Sequence, residues 1–160
     1  MPLACSASSP SKRCNARAAR AAHNGDSVDT LETLTSPDGM FQLEIINLGH
    51  ELGLFFEVTD AHKAQDPNAE GDWHTHAEFW TEEPGMPKDE RECLRRIAAY
   101  LVLGTWALQC DEYEDGRRVW DVSNEPTEDI AISELMPDIT STTFRTWDGE
   151  VVDPTASSSA

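Results

Sequence analysis

Apolar and polar residues alternate along several short segments of this chain, a pattern typical of β-strands with one buried face. The segments 41–48 (FQLEIINL) and 54–59 (LFFEVT) are rich in β-branched and aromatic residues and flank a glycine-containing break. We therefore expect them to pair as a hairpin. The preceding residues, 26–40, run into a turn signal at 36–39 (SPDG). The polar stretch 60–72 indicates an exposed loop.

A helical period replaces the alternation near residue 90. Apolar residues recur at i, i+3, i+4 and i+7 from Leu94 to Leu101, which predicts one buried helix face. Pro87 suits the first residue of this helix, and Gly104 suits its C-terminal cap. The sequence therefore predicts one main helix in the centre of the chain.

Alternation returns after this helix. A strand over 105–113 and its partner over 118–122 flank Asp115-Gly116, a strong hairpin signal. A short helix is predicted within 124–136, and a final strand over 139–147 precedes a turn into 150–152. The order of elements predicts an α+β fold, an antiparallel sheet of hairpins with one main helix packed on one face.

The first 25 residues differ from the rest, since they contain four basic side chains and no acidic one. Their composition resembles an organellar transit peptide, but their amphipathic character is weak. We interpret residues 1–25 as a disordered basic leader or a misassigned start. Residues 153–160 are predicted to be a disordered tail, which leaves a single domain over 26–152.

The net charge of −18 limits the candidate partners. Such a charge repels the phosphates of nucleic acids and disfavours an anionic membrane surface. It suits a basic protein partner or a metal cation, or it serves solubility alone. A secretory signal would need an apolar segment near the start, and none is present. We therefore expect a cytoplasmic protein, in which Cys93 and Cys110 are buried, reduced thiols.

The densest group of chemically versatile side chains lies in 73–80 (WHTHAEFW). Read as one strand, this segment has a largely apolar face and an opposite face with two imidazoles and a carboxylate. The polar face comprises His74, His76, Glu78 and Trp80. A solvated polar row on a half-exposed sheet would show the same alternation.

Metal binding is one function that this strand permits. His74 and His76 are about 6.5–7 Å apart along a strand, so both rings can reach one divalent ion. Glu82 in the following loop is the candidate third ligand. This set is similar to the first metal-binding motif of the cupin family, which implies a catalytic ion in a β-barrel. The similarity covers about ten residues, and the second cupin motif has no counterpart here.

Protein binding is the other function that the sequence permits. Trp80 and Trp120, if they face outward, are aromatic anchors among acids, a combination suited to a basic partner. The expected partner-binding residues include one hairpin tip, formed by Asp111, Glu112, Glu114 and Asp115. Because no nucleotide-binding or nucleophile motif is present, our leading hypothesis is a non-enzymatic, inhibitor- or immunity-type protein that binds a basic partner. A metal-binding protein or metal-dependent enzyme is the alternative.

Overall fold

A computed structural model describes residues 29–153 of the chain. The predictions for residues 1–25 and 154–160 lie outside these described residues. The strands are β1 (Asp29–Thr35), β2 (Phe41–Asn47), β3 (Leu52–Val58), β4 (Ala69–Gly71), β5 (Trp73–His76), β6 (Ala107–Tyr113), β7 (Arg118–Ser123), β8 (Ile139–Arg145) and β9 (Val151–Val152). The helices are α1 (Asp60–Gln65), α2 (Ala77–Thr81), α3 (Glu90–Val102) and α4 (Pro126–Ser133).

The strands form two sheets. Sheet 1 has the order β1-β2-β3-β5, and sheet 2 has the order β4-β7-β6-β8-β9. Every pairing is antiparallel except that of β4 with β7, which is parallel. The predicted hairpins β2–β3 and β6–β7 are confirmed, and so is the α+β class with antiparallel sheet.

The main core lies where α3 and the two sheets meet. Leu94, Ile97 and Leu101 of α3 are each at most 2% exposed, which confirms the predicted buried face. The ring of Trp73 in sheet 1 packs against that of Trp106, which directly precedes β6 of sheet 2, with ring centroids 6.5 Å apart. Burial of these large apolar side chains supplies most of the stabilisation of such a core.

Sheet 1 is buried on its second face as well. A separate apolar cluster of Ile46, Leu48 and Phe55 lies on the side opposite the main core. This explains why β3 carries Leu54, Phe55 and Phe56 in succession, since strands buried on both faces lose the alternation.

The structure corrects three predictions of secondary structure. Residues 60–72 are not a plain loop, because α1 begins where the Thr59 hydroxyl accepts a hydrogen bond from His62 N. Strand β1 occupies a segment for which the sequence indicated no strand. The strand predicted over 73–80 ends at His76 and continues as helix α2.

Helix α3 begins later than Pro87 predicted. Asp89 is its N-cap, and the Asp89 carboxylate accepts a hydrogen bond from Glu92 N. Aspartate satisfies the free N–H groups of a first turn, which proline cannot do. The predicted end is confirmed, since Gly104 follows the helix with a φ of +84°.

Candidate functional site

The two histidines of β5 lie side by side on the face of sheet 1 that points away from the main core. His74 is 3% exposed, and its ring stacks on Phe55 at 5.0 Å with an interplanar angle of 6°. His76 is half-buried, and its ring centroid is 5.2 Å from that of His74. The predicted shared face is therefore correct. The expected solvated row is wrong for His74, since that side chain is packed inside.

Glu51 approaches this histidine pair from the connection before β3. Its Oε2 atom lies 2.9 Å from Nδ1 of His76 and 3.2 Å from Nε2 of His50. The pairing of Gly53 with His76 brings these segments together. The sequence did not reveal Glu51, because the pairing joins residues 25 positions apart.

The predicted third metal ligand is placed elsewhere. His76 caps the start of α2 and Glu82 caps its end, so the two are about 9 Å apart along the helix. Within 29–153, histidine, cysteine, aspartate and glutamate side chains form no group of three or more that could hold a metal ion. Metal binding by His74 and His76 stays a prediction.

The two tryptophans predicted at an interface contribute to the core instead. Trp80 is 8% exposed, and its Nε1 donates to Thr75 Oγ1 at 2.8 Å. The turn of α2 swings Trp80 towards the core, which corrects the outward orientation expected from a strand. Trp120 is half-buried and packs edge-on against Phe41, with ring centroids 4.8 Å apart.

Asp111 is also interior. It is 0% exposed and accepts hydrogen bonds from Gln109 Nε2 at 3.1 Å and Thr142 Oγ1 at 2.8 Å. On the side of α4, Ser133 Oγ lies 3.5 Å from Asp111 Oδ1. Asp111 therefore has a structural role in sheet 2, and the expectation that it lies on the surface is wrong.

The rest of the predicted hairpin tip is accessible and is larger than the sequence indicated. Glu114 N donates to Asp138 O at 2.9 Å, which fixes the β6–β7 hairpin against the connection between α4 and β8. Leu135 in that connection is 79% exposed. We call the carboxylates of this hairpin end and of the connection the acidic tip, namely Glu112, Glu114, Asp115, Glu134 and Asp138.

The electrostatic balance of the described domain is strongly negative. Residues 29–153 contain 29 acidic and 8 basic side chains, a net charge of −21. Two of the arginines form ion pairs near the tip: Arg117 pairs with Asp115, and Arg118 pairs with Glu112 and Asp66. The hydrogen bonds from Arg117, first from its backbone N–H and then from its side chain, lower the pKa of Asp115. The carboxylate at this turn therefore stays ionised.

Carboxylates also lie close together at the start of α4. Glu128 raises the pKa of Glu125, first through a hydrogen bond between the two side chains and then through like-charge repulsion. A nearby cation would relieve this repulsion. The crowding makes the start of α4 a second acidic region of the domain.

Sheet 1 and α3 line an open cavity of about 320 Å³. Its lining is mainly apolar, and the polar members are Glu32, Thr33 and Arg95. The apolar lining comprises Leu34, Leu43, Ile45, Leu54, Ala98, Ala99 and Val102. A cavity of this size and lining falls within the range of protein binding pockets.

The cysteines of the domain lack the surroundings of a nucleophile. Burial is the first cause that raises the pKa of Cys110, to about 12, and the Asp111 carboxylate adds to it. Burial also raises the pKa of Cys93. Both thiols therefore remain protonated at neutral pH, whereas a reactive cysteine needs thiolate character.

Comparison with known proteins yields no assignment: no family model matches the chain, and no curated protein or solved structure is significantly similar to it. Among the helices of residues 29–153, none is both long and apolar enough to cross a membrane. An α+β fold by itself assigns no function, which resides in particular sites of the domain.

Proposed function

We propose that this protein acts by binding a basic protein partner through the acidic tip and the exposed Leu135. The observation that carries this proposal is a 79% exposed leucine in the connection whose Asp138 accepts a hydrogen bond from Glu114 of the β6–β7 hairpin. Interfaces commonly combine an apolar centre with a polar rim. Leu135 would supply the centre and the acidic tip the rim.

The charge of the domain supports the same proposal. A net charge of −21 over residues 29–153 attracts a basic protein over long distances and increases the rate of encounter. Fast association suits a protein that must neutralise its partner quickly. An inhibitor or immunity-type role is therefore the form of binding that we favour.

The test begins with cross-linking in cells and identification of the partner by mass spectrometry. Association kinetics are then measured with the purified partner at several salt concentrations. We expect Glu114→Gln/Glu134→Gln/Asp138→Asn to slow association by about tenfold at low salt. The matched control, Glu78→Gln/Glu82→Gln/Glu83→Gln, removes the same charge from another exposed region.

The role of the leucine is tested separately. We expect Leu135→Ser to speed dissociation by about tenfold while leaving the salt dependence of association unchanged. A partner that is acidic, or an association rate that does not depend on salt, would contradict the proposed function. Equal effects of the tip variant and its control would place the interface elsewhere.

A further inference from the structure

Strand β1 is an edge strand of sheet 1 as residues 29–153 form it. Within the sheets formed by residues 29–153, β1 lies at the end of sheet 1 and pairs with β2 alone. Thr33, Leu34 and Thr35 in its second half are exposed, and Leu34 is 42% exposed. An exposed edge strand carries backbone donors and acceptors that can pair with another extended chain.

The cavity opens beside this edge. Glu32 and Leu34 are paired with Ile45 and Leu43, so they lie on the face of β1 that is turned towards α3. Leu34 of β1 and Val102 of α3, which are 42% and 38% exposed, both line the cavity. A strand added to β1 would therefore direct alternate side chains towards the cavity.

We infer that the edge of β1 and the adjoining cavity bind an extended, basic segment of a partner protein. The segment would add a strand to sheet 1 through backbone hydrogen bonds and insert one large apolar side chain into the cavity. In this recognition mode the backbone supplies affinity and the pocket supplies specificity. The inference rests on the proposed function for the basic character of the partner.

Charge favours this occupant over a second copy of the chain. Two domains that each carry −21 repel one another, whereas a basic segment is attracted. Arg95 in the cavity lining and the neighbouring Arg91 do not oppose a basic segment, because both pair with Glu32. Arg95 is further paired with Glu92.

The probe for this site is a heptapeptide with blocked termini, in which four lysines alternate with valine, phenylalanine and valine in that order. Binding is measured by isothermal titration and by hydrogen exchange of the β1 amides. We expect saturating peptide to slow exchange along β1 by about tenfold. The same peptide, N-methylated at alternate residues, keeps its charge but loses backbone donors, and should bind about tenfold more weakly.

Two variants of the full chain test the cavity. Ala98→Leu fills it from α3 and should weaken the heptapeptide by about tenfold, whereas the same substitution at the exposed Ala131 of α4 should have no effect. Leu34→Ser, at a 42% exposed position of β1, should also weaken binding of the heptapeptide by about tenfold, and it is the variant to use if Ala98→Leu does not fold.

Several results would overturn the inference. Equal binding of the parent and N-methylated peptides would reveal attraction by charge alone. Protection confined to the acidic tip, or concentration-dependent self-association that blocks the peptide, would also overturn it. If Glu114→Gln/Glu134→Gln/Asp138→Asn weakens peptide binding and Ala98→Leu does not, this inference is wrong and the proposed function stands. If the peptide binds at β1 but the association rate of the purified partner does not depend on salt, the proposed function is wrong and this inference stands.

Discussion

Arg145 in β8 donates from Nη2 to Asp38 Oδ2 at 2.5 Å, across 107 positions of the chain. Asp38 lies in the turn before β2, so this pair connects sheet 1 to sheet 2. The Arg145 guanidinium also lies over the ring of Phe41, 5.0 Å from its centroid. One side chain thus combines an ion pair with a cation–π contact where the two sheets meet.

This pair predicts a stability that depends on pH. Burial alone would raise the pKa of Asp38, but hydrogen bonds from Arg145, Ser36 and Met40 N outweigh burial and lower it from 3.8 to about 2. A lowered pKa stabilises the folded state above pH 3.8, and this stabilisation is lost as pH falls through 2. Allowing for partial exposure, Asp38→Asn should lower the free energy of unfolding by about 1–2 kcal/mol at pH 7.

Urea denaturation from pH 7 to pH 2 checks this prediction. The difference between the wild-type protein and Asp38→Asn should shrink below pH 4. Glu83→Gln, at an exposed position, is the control and should differ little from wild type throughout. A difference that stays constant down to pH 2 would show that Asp38 acts by packing rather than by charge.

Truncation of Asp111 should destabilise the protein strongly, whereas truncation of Glu114 should have little effect on stability. Asp111→Ala removes a buried acceptor and leaves Gln109 and Thr142 without it, so we expect a loss of about 3 kcal/mol in unfolding free energy. Glu114→Ala removes an exposed carboxylate and should change stability by about 0.5 kcal/mol or less. Urea titration of both variants is the measurement; a similar cost for both would contradict the structural role of Asp111.

Thiol reactivity tests the burial of the two domain cysteines. In a Cys5→Ser/Cys14→Ser background, Cys93 and Cys110 should react with a disulfide reagent at least about a hundredfold more slowly in the folded protein than in urea. The raised pKa of Cys110, about 12, gives the same expectation at pH 8. Rapid stoichiometric labelling of the folded protein would contradict it.

The metal-binding alternative calls for a direct measurement. We expect metal stripping to leave the melting temperature unchanged, because Glu82 lies at the far end of α2 from His76. Metal content is measured on untagged protein purified without chelator, alongside the His74→Ala/His76→Ala variant. Near-stoichiometric metal in the wild-type protein that is absent from this variant would reinstate the alternative, with Glu51 as the nearest carboxylate to His76.

The local sequence predicted those elements in which a regular spacing of apolar residues is bounded by turn or cap residues. Helix α3 has an apolar stripe and Gly104, and the β6–β7 hairpin has Asp115-Gly116 between two alternating segments. Such features act over a few residues, so they can be read without knowledge of the fold. The placement of His74 and His76 on one face was predictable for the same reason.

The tertiary structure decided which side chains remain accessible. Trp80 and Asp111 carry no local sign of burial, yet one packs in the main core and the other accepts bonds inside sheet 2. The acidic tip forms only because Glu114 contacts Asp138. The cavity beside β1 forms only because α3 packs next to that edge strand. Periodicity determined local conformation by itself, whereas exposure and proximity depended on long-range packing, which joins residues that the sequence separates.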